Sequence, residues 1–240
     1  MLMGSDETGT ESYDEVLLDI ESWIVEGEFE RARASLRLLR EEIGDDAELD
    51  YLEGVAAWRE GSDDEAIAKF EAALSADPDH SDACHGLFML FETLGDHERS
   101  VSYALRVRAM DEEEVGEDDA LLEAREAEIR AIATRVLTAL PEEFGRRLEN
   151  VPVVLETRPS RALVATGFDP RALGLFEGLA DADACHAGPI PSRIVLFTHN
   201  LAAEFPEQGE LAVQVEITLL HEVGHFFGLD EAQVEALGLG

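Results

Sequence analysis

Apolar residues recur along this chain in two rhythms. In the first half, Leu36, Leu39, Phe70, Leu74, Leu87 and Phe91 fall at intervals of three and four, which puts side chains on one face of a helix. The same spacing returns from Ala120 to Leu140, through Ile129, Ile132, Ala133 and Val136, until Pro141 punctuates it. Glu142 to Leu148 reads as a further turn or two of helix. The rhythm then changes. Val151–Glu156 and Arg193–Phe197 are short runs rich in β-branched residues and bounded by turn formers, so they predict strands, with Ala172–Phe176 as a third. From Glu207 a helix carries the chain through His225 and breaks at Gly228. Helices alone, then a helix, short strands and a late helix, make an α+β chain.

The first half also repeats itself. Gly27, Gly61 and Gly95 are spaced 34 residues apart, and five residues after each stands a small residue, Ala32, Ala66 or Ser100. Leu36, Phe70 and Ala104 follow four further on, and the middle copy adds Gly54, Ala73 and Pro78. The glycine ends a first helix in the left-handed conformation that it takes without strain, and the small residue lets a second helix pack closely. From about Tyr13 to Met110 this pattern resembles the tetratricopeptide repeat, in three copies with degenerate ends. The resemblance implies a helical array able to bind a protein partner. The same array can equally serve only to solubilise, oligomerise or position the second half of the chain.

Composition narrows the partners. Among 240 residues the formal net charge is −36, a field that repels nucleic acid and anionic membranes, so neither is expected as a partner. Lys69 is the only lysine, and arginine supplies the remaining cations. No apolar run approaches the roughly 18 residues of a spanning helix. The polar, acidic N-terminus lacks the features of a secretory signal, and a cytoplasmic protein is expected. Cys84 and Cys185 fall in different halves and read as free thiols. The acidic stretch from Asp111 to Asp119 reads as a solvated connection. These observations divide the chain into a disordered acidic N-terminus (1–12), three repeats (13–112), an acidic linker (113–119) and a C-terminal domain (120–240).

Chemistry concentrates near the C-terminus, in His221-Glu222-Val223-Gly224-His225. On a helix, histidines four apart share a face and can share a metal ion, while Glu222, one step round, reaches a water bound to that metal. Zinc in such a site brings the pKa of its water towards about 7 and polarises a carbonyl. Glu222 then takes the proton from the water and passes it to the leaving amine. Gly228 permits a sharp turn that returns a third ligand, and a carboxylate beside two histidines leaves one coordination position open. Asp230 and Glu231 both lie at hand, and the motif spacing selects Glu231.

With those residues identified, the stretch from about Leu140 to Leu239 resembles the small bacterial zincin-like metallopeptidases with a matrix-metalloprotease-like domain. Pro141–Phe144, Leu148–Val151, Gly174–Gly178, Pro191–Phe197 and Leu219–Glu231 carry the resemblance. It implies a minimal zincin fold, a zinc ion, and His221, Glu222 and His225 in the roles just derived. Two features of larger relatives are missing. The last methionine is Met110, so no methionine-bearing turn underlies the metal, and the three tyrosines all lie in the repeat half. The oxyanion donor is then His199, Arg161 or a backbone N–H. The expected activity is zinc-dependent hydrolysis of a peptide or protein substrate, with an extended substrate added alongside the strand Arg193–Phe197. The rival reading is a repeat-based interaction protein whose zinc site is structural or vestigial.

Overall fold

The computed structural model describes residues 12–113, 119–178 and 192–238. Cys185 and nearly all of the N-terminal segment expected to be disordered lie outside those residues. The chain divides into two compact units, Met1–Asp111 and Glu112–Gly240.

The first unit is wholly helical among its described residues. Its helices are α1 (Tyr13–Glu26), α2 (Phe29–Ile43), α3 (Ala47–Arg59), α4 (Asp63–Ala76), α5 (Ser81–Thr93) and α6 (His97–Glu113). The expected glycines end α1, α3 and α5: Gly27, Gly61 and Gly95 have φ of 80°, 80° and 74°. Each closes its helix with the same two bonds. Its own N–H donates to the carbonyl three residues back (Ile24, Trp58, Glu92), and the next N–H donates to the carbonyl five back (Trp23, Ala57, Phe91). One cluster gathers Ile20, Ile24, Leu36, Leu49 and Leu52, and another gathers Phe70, Leu87, Leu90 and Phe91. Tyr51 and Val55 pack against both, which makes the core continuous. The few cations tie neighbouring helices together: Arg33 reaches Glu60 and Glu65, while Arg40 and Lys69 share the buried Asp50 and the half-buried Glu53.

In the second unit, α7 (Asp119–Ala139) and α8 (Glu142–Leu148) precede β1 (Val153–Glu156), a short helix α9 (Arg161–Val164) and β2 (Gly174–Glu177). Strand β3 (Arg193–Phe197) then leads into α10 (Thr198–Glu204), α11 (Gln208–Phe226) and α12 (Glu231–Ala236). The sheet has the order β1-β3-β2, with β1 parallel and β2 antiparallel to β3. Helix α11 buries Leu211, Val215, Leu219, Val223 and Phe226 along one stripe, against Ile194 and Leu196 of β3 and Ile129 and Val136 of α7. Its helical spacing was readable because the stripe runs unbroken over about four turns.

One expectation is overturned here. Strand β3 is the middle strand, hydrogen-bonded on both edges, and Ile194 to Phe197 are all buried. No extended peptide can add beside it. Among the described residues, the sheet edge next to α11 belongs to β2.

Candidate metal centre

Helix α11 delivers two imidazoles from its last two turns. His221 and His225 lie on the same side, and their Nε2 atoms face each other at 2.9 Å. The Nδ1 of His225 lies 3.0 Å from the carbonyl oxygen of Leu229. A carbonyl only accepts, so Nδ1 carries the proton and Nε2 presents its lone pair to the centre.

The third group arrives through the same closing device that ends α1, α3 and α5. Gly228, at φ 85°, donates to His225, and Leu229 donates to Gly224. The chain reverses and α12 folds back against α11. Gly224 makes this approach possible, since a Cβ there would meet Val234 Cγ2 at 3.0 Å. Glu231, the first residue of α12, then points at the imidazoles, with Oε2 3.4 Å from His221 Nε2 and Oε1 3.3 Å from His225 Nε2. Its neighbour Asp230 is occupied otherwise. It caps α12, accepting from the Gln233 N–H while the Gln233 side chain accepts from its own. Among the described residues, His221, His225 and Glu231 form the one group whose donor atoms, all within 4.8 Å, converge as a cation requires. Two imidazole nitrogens and a carboxylate oxygen are a donor set that suits zinc and leaves it a further position. With two imidazole Nε2 atoms and a carboxylate turned towards one another, the residues fit the ion.

Glu222 points elsewhere, towards β2. It is buried, and burial raises its carboxyl above the ordinary glutamate value, a rise opposed by His221, His225 and the Phe176 N–H that donates to it. An open cavity of about 420 Å³ brings Glu222, His221, His225 and Glu231 together beneath Phe168 and Leu175. A second cavity, of about 250 Å³, lies on the other side of Glu222 between Leu173, Gln214 and Ile217. Neither His199 nor Arg161 lines either cavity.

Three contributors to this site were not singled out from sequence. Asn200, buried at the start of α10, donates from Nδ2 to the carbonyls of Pro170 (3.0 Å) and Ala172 (2.8 Å) and so fixes the approach to β2. Gly174 and Phe176 carry Glu222 against the strand. The available signal was the glycine itself, because glycine at the head of an apolar strand marks a close approach of backbone to something else.

Residues 148–240 match the family model of the zincin-like metallopeptidases. The matched segment holds the sheet, α10 to α12 and all four residues of the centre. No curated protein matches the chain.

Proposed function

We propose that the C-terminal unit hydrolyses peptide bonds, with His221, His225 and Glu231 holding a zinc ion and Glu222 acting as general base. The observation that carries this reading is the convergence of two imidazoles and a carboxylate beside a second, buried carboxylate that takes no part in the cluster. A purely structural site has no use for that second carboxylate. The match of residues 148–240 to the zincin-like family adds independent support.

Zinc bound by this donor set acidifies a water molecule and polarises a carbonyl oxygen. Glu222 takes the proton of the attacking water on its carboxylate and returns it to the nitrogen of the leaving amine. Its burial helps the first of these transfers, because a desolvated carboxylate holds a proton more tightly than an exposed one. The Phe176 N–H restrains the carboxylate between the two transfers. The Leu229 carbonyl holds the His225 ring in the tautomer that ligates. An extended peptide would add along the outer edge of β2, the edge turned away from β3.

Helices α1 to α6 we read as three tetratricopeptide repeats that offer a surface to a protein partner. The identical closure of α1, α3 and α5, 34 residues apart, supports this. The charge of −36 disfavours nucleic acid and anionic membranes as partners. No described helix is long and apolar enough to cross a membrane, and the cytoplasm is the compartment we propose.

The test is metal content by mass spectrometry together with cleavage of a mixed library of quenched fluorescent peptides. Wild type and Glu222→Gln are expected to hold one zinc per chain, and His221→Ala none. Glu222→Gln is expected to cut peptides on the order of 100- to 10,000-fold more slowly than wild type. Wild type that takes up no zinc overturns the reading. Zinc bound without peptide cleavage favours the rival, a repeat-based interaction protein with a structural or vestigial ion.

A further inference from the structure

The residue facing Glu222 across the cavity wall has no side chain. We propose that Gly174 is a positioning residue for the reaction: the empty space at its Cα lets the Glu222 carboxylate lie against the outer edge of β2, on the Phe176 N–H. This inference rests on the assignment of Glu222 as general base.

The pairing of β2 with β3 decides which backbone groups are available. The Leu173 carbonyl accepts from the Phe197 N–H at 2.9 Å, and Leu173 stands opposite Phe197 in the antiparallel register. Alternation along the strand then turns Leu173, Leu175 and Glu177 towards β3, and Gly174 and Phe176 outward. The outward N–H of Phe176 is the one bonded to Glu222.

On the face of β2 that meets α11, Phe176 packs its ring against Phe226, with centroids 5.9 Å apart. Gly174, two residues earlier, points the same way. A Cβ built on it would stand 2.7 Å from Thr218 Cγ2, 3.1 Å from Glu222 Oε1 and 3.2 Å from Glu222 Cγ. Thr218 and Glu222 are one turn apart on α11 and both are buried, so a methyl group at Gly174 would have to displace one or both of them. Gly174 is not among the residues at positive φ. Its backbone would accept alanine without strain, and contact alone excludes the methyl group. Both cavities that flank Glu222 also have Gly174 in their walls, so a side chain there would enter the space in front of the carboxylate.

Contact with Thr218 is a packing matter, whereas contact with Glu222 bears on the chemistry. The two separate in a cycle of Gly174→Ala, Thr218→Ala and the double variant, made in the full chain. Each variant is measured for zinc per chain, melting temperature, the amide resonance of Phe176, and kcat and KM on the peptide library. Gly174→Ala is expected to keep one zinc, melt lower, and move the Phe176 amide towards its position in Glu222→Ala. Thr218→Ala in the same chain removes the methyl at 2.7 Å and is expected to restore most of the melting temperature. It leaves the crowding of Glu222, so the displaced Phe176 amide persists. The double variant still crowds Glu222 by a few tenths of an ångström and is expected to show a kcat roughly 10-fold below wild type with KM little changed.

Recovery of kcat together with stability in the double variant overturns the inference, as does a Phe176 amide that does not move in Gly174→Ala. If wild type cleaves no peptide, the proposed function fails. The Phe176 amide still decides whether Gly174 positions Glu222.

Discussion

Phe70 shows how tightly single residues are set in the first unit. Its ring is buried between two glycines of neighbouring helices. A Cβ on Gly54 would approach two ring carbons at 2.7 Å, and one on Gly86 would approach a third at 2.8 Å. Alanine at Gly54 therefore overpacks the core, and a loss of about 1–3 kcal/mol in urea unfolding is expected. Phe70→Leu should recover part of it in the Gly54→Ala background but not in wild type. Tyr13 gives a second expectation, in pH. Desolvation, then its hydrogen bond to Asp46, push its phenol up to about 12. A raised pKa means that the folded state holds the proton longer, so this stabilisation is complete below about pH 10 and is lost as pH climbs to about 12. Wild type should lose more stability than Tyr13→Phe between those limits, as measured by urea midpoints. Residues were unequally legible in the sequence. Gly54 was visible through the 34-residue repeat. Gly174 was only hinted at, as a glycine heading an apolar strand, because the groups that constrain it, Thr218 and Glu222, lie on a helix far along the chain.

At the scale of elements, the turn from α11 into α12 assigns two adjacent acids different tasks. Asp230 holds the N-terminus of α12, and Glu231 reaches the imidazoles. Asp230→Ala should cost about 1 kcal/mol of stability, as the loss of a helix cap does, and retain zinc. Glu231→Ala should keep the cap and lose zinc to a competing chelator at far lower concentration than wild type. Equal zinc retention by the two variants would remove Glu231 from the ligand set. The repeat helices, α7, α8, α11, the three strands and the break at Gly228 were legible from period and punctuation, whereas the short helices α9, α10 and α12, only four to seven residues long, were not. Strand order was not, because it depends on pairing between distant segments. Yet Arg193–Phe197 carried a hint in having no polar alternation. A strand apolar at every position after its first is covered on both faces, which suits the middle of a sheet better than an edge open to substrate.

For the whole molecule, what matters is that the cores are separate. The clusters around Leu36 and Phe70 draw only on the first unit, and the cluster around α11 draws only on the second. The match to the zincin-like family likewise lies within the second unit. Metal removal should then act on one unit and spare the other. An ion that binds only the folded state stabilises it by about 4 kcal/mol when free zinc exceeds its Kd a thousandfold. Calorimetry of the full chain in zinc is expected to give two transitions. Adding a chelator should lower one of them, and the same one should be lower in His221→Ala. That transition should return to its first position when zinc is restored. The unit has its own apolar core from α7, β3 and α11, which does not include the ligands, so stripping the ion should weaken the fold without abolishing it. Complete loss of that transition in chelator would mean instead that the metal holds the fold together, and it would turn the balance towards a structural ion. A chelator that moves both transitions equally would show that the two cores do not melt independently.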